Sequence, residues 1–168
     1  MGILIDKTAD CPYVNFNEDG YLEIEGRSIM EDVYSFWQPL IDWVIDYIKE
    51  PANSTKAIFA LEYTNSSTNK FINEMLKQFD SCHRNGFDVK IIWRYEDDDE
   101  SIHTLGQDMD TLISLPIQFE IMEMERHKAR KIRIKNKTTG NEATITQRYW
   151  DTILRNGHGE EYMVLQDQ

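Results

Sequence analysis

Between residues 21 and 122, short apolar runs alternate with longer stretches whose apolar residues recur every three to four positions, which restricts the chain to a layered α/β fold. Ala57-Ile58-Phe59-Ala60-Leu61 is almost continuously apolar, as expected of a strand covered on both faces. Residues 89–95 and 117–122 read as further strands, and residues 21–25 alternate like a half-buried one. Residues 13–16 would pair with the last of these around the turn Asn17-Glu18-Asp19-Gly20. Between strands, Val33, Phe36, Trp37, Leu40, Ile41, Val44 and Ile48 share one helical face, with Pro39 inside it expected to bend it. Phe71, Ile72, Met75, Leu76, Phe79 and Cys82 share another, stopped by Asn85-Gly86. A third, less apolar helix is expected around residues 102–113. Ser28-Ile29-Met30-Glu31 has the form of a capping box that would open the first helix.

Charge divides the chain. Residues 1–123 hold 9 basic and 24 acidic residues, a net −15, whereas residues 124–168 hold 9 and 6, a net +3. The expected organisation is an α/β domain over 1–123, with a mixed sheet of about five strands and about three helices. A small ββαβ-like extension follows over 124–168. In that extension residues 131–135 and 142–145 form a hairpin, Trp150, Ile153 and Leu154 mark a short helix, and residues 162–165 return as a strand.

The overall charge of −12 argues against generic nucleic-acid or anionic-membrane binding. No apolar run approaches the roughly 20 residues needed to span a bilayer. The N-terminus has no cleavable apolar segment, and Met1-Gly2 is followed by Asp at position 6, unlike a myristoylation signal. Cys11 and Cys82 make neither a disulfide framework nor a metal spacing, so a reducing, cytoplasmic setting is expected. Arg126-His127-Lys128-Ala129-Arg130-Lys131 is basic, but in so acidic a chain it fits an acidic protein surface better than nucleic acid.

Chemistry concentrates between the central strand and the second helix, in Tyr63-Thr64-Asn65-Ser66-Ser67-Thr68-Asn69-Lys70. Asn65 or Ser66 can cap the helix, but a cap needs only one such residue. The remaining hydroxyls stand where open α/β sheets commonly carry function. A phosphate at the helix start would face free amides and the positive dipole end. Thr64, Ser66, Ser67 and Thr68 are therefore the candidate acceptors. Glu96-Asp97-Asp98-Asp99-Glu100 forms a second acidic motif, suited to a helix start, a partner-facing surface, or a divalent cation held by clustered carboxylates. His83, His103, His127 and His158 show no metal spacing. Tyr34, Trp43 and Tyr47 fall off the first helix's apolar stripe and are candidate docking aromatics.

Three ordered blocks carry a resemblance. Gly20-Tyr21-Leu22-Glu23-Ile24-Glu25-Gly26-Arg27-Ser28 with Phe36-Trp37-Gln38-Pro39-Leu40, then Leu61-Glu62-Tyr63-Thr64-Asn65-Ser66-Ser67 with Lys70, then Trp93-Arg94-Tyr95-Glu96-Asp97-Asp98-Asp99-Glu100 with Gly106-Gln107-Asp108, resemble the SiaC-family regulatory phosphoproteins over about residues 14–123. The resemblance implies a STAS-like sandwich and a bacterial partner-switching cycle. In that cycle a Ser/Thr protein kinase phosphorylates the central motif and a PP2C-type phosphatase reverses it. The unphosphorylated form binds an effector such as a diguanylate cyclase, which places the chain in c-di-GMP signalling. By motif position Ser66 is the acceptor, with Ser67, Thr68 and Thr64 as alternatives. Tyr63, Asn65, Ser66, Ser67, Lys70, Asp97, Asp98 and Asp99 are the implied partner-binding set. No catalytic residue, cofactor or metal is expected. The alternatives are a small metal-dependent enzyme using Asp97, Asp98, Asp99 and Glu100, or a purely structural interaction module in which Ser66 is only a cap.

Overall fold

A computed structural model describes residues 2–122, 132–145 and 159–165. The chain divides into two compact units, Met1–Met122 and Glu123–Gln168. In the first, a six-stranded sheet has the order β1-β2-β3-β4-β5-β6, from β1 (Ile3–Ile5), β2 (Tyr13–Phe16), β3 (Tyr21–Ser28), β4 (Ser54–Thr64), β5 (Asp88–Tyr95) and β6 (Ile117–Ile121). The first three strands pair antiparallel, and β3 through β6 run parallel. The parallel strands are joined by α1 (Val33–Tyr47), α2 (Ser66–Arg84) and α3 (Glu100–Asp110). This is the expected mixed α/β sandwich with one strand more. The extra strand, β1, is too short to show a periodicity and is defined by its pairing with β2.

The buried cluster takes alternate residues from each strand: Val14 and Phe16, Leu22 and Ile24, Ala57, Phe59 and Leu61, Val89, Ile91 and Trp93. These side chains share one sheet face, and Trp37, Leu40, Val44, Ile72, Leu76, Phe79 and Met109 of the helices join them there. Ile58 and Ile92, on the opposite face, are buried too, in keeping with the apolar run. α1 continues through Pro39.

The capping box is not formed. β3 runs on through Ser28, past a register shift between Gly26 and Arg27, and pairs Ser28 with Thr64. α1 is instead capped by Asp32, whose carboxylate accepts from the Ser35 N–H at 3.1 Å. Of the three candidate docking aromatics, Tyr34 alone is exposed. Trp43 stacks on Tyr47 at 5.1 Å, and the buried Tyr47 hydroxyl lies 2.7 Å from Thr55 Oγ1.

α3 approaches the sheet at Gly106, where a methyl group would come within 2.7 Å of the Trp93 ring and 2.8 Å of Phe119. Trp93 Nε1 donates to the Ile102 carbonyl at 3.0 Å, so its one polar atom is satisfied beneath the same helix. The segment after α3 is tied down by the buried Asp80 of α2. One of its carboxylate oxygens accepts from Ser114 N, Ser114 Oγ and Leu115 N at 3.0, 2.7 and 2.8 Å, and Arg84 pairs with the other at 3.2 Å. Burial raises the Asp80 pKa, but the hydrogen bonds from Ser114 and Leu115, together with Arg84, outweigh it and hold the carboxyl below its ordinary value. Cys82 is buried and Cys11 half-buried, both as free thiols, and burial pushes the Cys82 thiol up.

In the second unit β7 (Ile132–Asn136), β8 (Glu142–Ile145) and β9 (Tyr162–Leu165) form an antiparallel sheet of order β8-β7-β9. The turn at Gly140 has φ 73°, and Asn136 accepts from the Thr138 and Thr139 amides. The expected helix around Trp150, the basic stretch 126–131, His127 and His158 lie outside the described residues.

Two stability results are expected. Gly106→Ala should destabilise by about 1–3 kcal/mol despite alanine's better helix propensity, read as a lower denaturation midpoint, because Trp93 and Phe119 leave no room. Asp80→Asn should cost about 1–3 kcal/mol at neutral pH. Because the folded pKa of Asp80 is depressed, its contribution is complete above the unfolded value of about 3.9 and is lost as pH falls through the folded value. The variant's melting temperature should therefore fall less steeply below that pH than the parent's.

Candidate functional site: the turn between strand β4 and helix α2

The central motif is placed by two features of its own sequence. β4 ends at Thr64, and Asn65 takes an extended backbone, φ −99° and ψ 169°, while its side chain accepts from the Thr68 N–H at 2.8 Å. Asn65 is therefore the cap, and Ser66, Ser67 and Thr68 are the first three residues of α2. Helical phase then separates the hydroxyls. Thr68 falls in line with Ile72 and Met75 on the inward face and is 0% exposed. Its Oγ1 lies 2.8 Å from Ser28 Oγ, also 0% exposed, and Trp37 Nε1 donates to Ser28 Oγ at 3.1 Å.

The other candidates differ. Thr64 is half-buried, and its hydroxyl donates to Asn69 Oδ1 at 2.6 Å. Ser66 and Ser67 are exposed, and neither hydroxyl is hydrogen-bonded to a described residue. Thr68, an alternative acceptor in the sequence, is sealed from solvent and serves as an internal anchor. Lys70 is exposed four residues beyond Ser66, hence on the same side of the helix. Tyr63 is 49% exposed, with the Arg27 guanidinium 5.9 Å above its ring.

The acidic motif follows the neighbouring strand β5, so both motifs sit at the C-terminal edge of the parallel strands. Asp97 and Asp98 are exposed in the turn. Asp99 caps α3, one oxygen accepting from Ile102 N at 3.0 Å and from Ser101 Oγ at 2.7 Å. That oxygen is committed to the helix start, which favours the structural role over metal ligation. Among the described residues no group of three His, Cys, Asp or Glu is placed to hold a metal ion. His83 is exposed, and His103 stacks on Tyr95 at 4.3 Å. An open cleft of about 610 Å3 connects the motifs, bounded by Tyr63, Thr64 and Asn69 on one side and by α3 on the other.

Residues 5–124 match the sequence model of the SiaC family regulatory phosphoprotein. The chain belongs to the SiaC family. An uncharacterized protein of Pseudomonas aeruginosa strain UCBPP-PA14 is 25% identical over 101 residues, covering 60% of this chain and 80% of that one. Apo-SiaC from Pseudomonas aeruginosa has a similar fold, with a TM-score of 0.65 at 23% identity over 71% of this chain and 98% of its own. So does a chain from the crystal structure of the Pseudomonas aeruginosa diguanylate cyclase SiaD in complex with its activator SiaC. Its TM-score is 0.65 at 24% identity, with the same coverage. Residues 125–168 lie beyond the family match. No described helix is long and apolar enough to cross a membrane.

Sequence reasoning missed the anchor beneath the turn. Trp37 lies in the core as expected, but Ser28 is no cap: its hydroxyl meets Thr68 and accepts from the Trp37 indole. A usable signal existed: Thr68 precedes Ile72, Met75 and Phe79 by 4, 7 and 11 positions, the spacing of the buried face. Thr68→Val should cost about 1–2 kcal/mol, since Ser28 loses one of its partners in a place sealed from solvent. Trp37 emission should change in the folded variant, whereas Ser67→Ala should leave both stability and emission close to those of the parent.

Proposed function

We propose that this SiaC-family chain is a non-enzymatic adaptor whose docking to a protein effector is switched by reversible phosphorylation of Ser66. The observation that carries the reading is the spare, exposed hydroxyl of Ser66 at the first position of α2, next to a cap supplied by Asn65. A structural role for Ser66 would make it the cap, and Asn65 already fills that place. Ser67 is equally exposed, and the family motif favours Ser66.

The physical consequences of modification suit a switch. A phosphate brings about −1.5 to −2 charges and three acceptor oxygens to the positive end of a 19-residue helix. Lys70, one turn on, is spaced to pair with it. The fold should tolerate the group because Thr68, Ser28 and Trp37, which hold the turn, lie inside and are untouched. The surface offered to a partner, with Tyr63, Asn65, Ser67, Asp97 and Asp98 nearby, changes sharply.

In this reading a Ser/Thr protein kinase adds the phosphate, a PP2C-type phosphatase removes it, and residues 1–123 form the regulatory domain to which residues 124–168 are appended. The effector is a diguanylate cyclase, by analogy with the activator SiaC and its cyclase SiaD. The metal-dependent enzyme is less favoured, because Asp99 is committed to capping α3.

Incubation with a Ser/Thr protein kinase that recognises this motif should raise the intact mass by one phosphate, and Ser66→Ala should abolish the increase. Ser66→Glu should keep the parent's melting temperature within the change that about 0.5 kcal/mol produces. Undiminished labelling of Ser66→Ala would move the acceptor to Ser67. Unfolding of Ser66→Glu would make the turn structural.

A further inference from the structure

The cleft between the two motifs has a chemistry of its own. Its α3 wall carries Glu100 and Asp108, both exposed and neither ion-paired with a described residue. Thr64, Asn69, Ser101 and Thr104 add polar oxygens, and Leu105 and the buried Ile102 supply apolar surface. No Lys, Arg or His is found among its described lining.

Several ligand classes fit poorly. A phosphate or nucleotide would meet two uncompensated carboxylates. A bound divalent cation needs several oxygens within about 2.6 Å, yet Glu100 and Asp108 are eight residues apart, about 12 Å along the helix axis. What does fit is a long cationic side chain. Its aliphatic stem would lie on Leu105 and Ile102, and its charged head would reach a carboxylate and the neighbouring hydroxyl oxygens. Tyr63 shows that an aromatic ring at this edge accommodates a guanidinium, since Arg27 already stands over it.

We infer that the cleft between Tyr63 and α3 receives an arginine side chain from a segment of the partner protein. The inference rests on the reading of the chain as an adaptor for a protein partner and adds the chemistry of the contact. Tyr63 and Thr64 are three and two residues from Ser66, so an occupant of the cleft borders the modified turn. Arginine is preferred over lysine because its planar fork can bond to a carboxylate through two N–H groups at once.

The test uses the unmodified full-length protein and N-acetyl-arginine methylamide as the probe, followed through backbone amide shifts. Saturable shifts should concentrate at Thr64, Asn69, Ser101 and Thr104, and should fall by about threefold or more in the Glu100→Gln, Asp108→Asn double variant. N-acetyl-glutamate methylamide should leave those amides unmoved. Shifts spread over the acidic surface and unchanged in the double variant would overturn the inference. So would the same pattern produced by magnesium chloride alone, since the cleft would then be a general cation attractor. Ser66 is unmodified throughout, so failure here leaves the kinase experiment standing, and failure of that experiment leaves this one readable.

Discussion

Ser28 and Thr68 meet at 2.8 Å where neither has access to solvent, and the turn that carries the candidate site is built on that contact. A buried hydroxyl left without a partner costs on the order of 1–3 kcal/mol, so two that find each other, with the Trp37 indole as a third member, lock their elements together. The elements are strand β3, helix α1 and the first turn of α2. β3 reaches the site only because it continues past the register shift after Gly26 and turns Ser28 inward. The position of the α2 N-terminus is thus fixed by tertiary contact as well as by its own cap.

That arrangement divides the work among adjacent residues of similar chemistry. Asn65 satisfies an orphan amide of the helix, Thr68 anchors the turn from below, and Thr64 is held to Asn69. Ser66 and Ser67 are left with nothing structural to do. A site of this kind can take a large charge without disturbing the core, because the groups that hold it lie on the opposite side of the helix. The acidic turn after β5 is arranged similarly: Asp99 caps α3, while Asp97 and Asp98 face outward.

Much of this was legible in the sequence because it follows from local periodicity. The apolar run 57–61 and the helical stripes gave the sandwich, and the alternation of β7 with its turn at Thr139-Gly140 gave the small antiparallel sheet. Contacts between distant residues were not legible. Ser28-Ile29-Met30-Glu31 satisfies the pattern of a capping box, yet pairing with β4 draws Ser28 into a strand and leaves the cap to Asp32. β1 exists only through its pairing with β2. The hold of Asp80 on Ser114 and Leu115 spans more than 30 residues and leaves no periodic trace. Within the site, the row of hydroxyls was plain, but sorting exposed from buried required the phase of α2.

In the proposed switch, one phosphate on an exposed, structurally idle hydroxyl alters partner binding while the fold stays as it is. The most direct measurement compares the unmodified chain with a chain carrying phosphoserine only at position 66. Both would be titrated calorimetrically into the proposed effector, a diguanylate cyclase, with near-ultraviolet circular dichroism recorded on each. A phosphate switch predicts superimposable spectra and binding weakened by about tenfold or more, a difference of about 1.4 kcal/mol. Equal affinities with unchanged spectra, or weakened binding accompanied by loss of the near-ultraviolet signal, would contradict it.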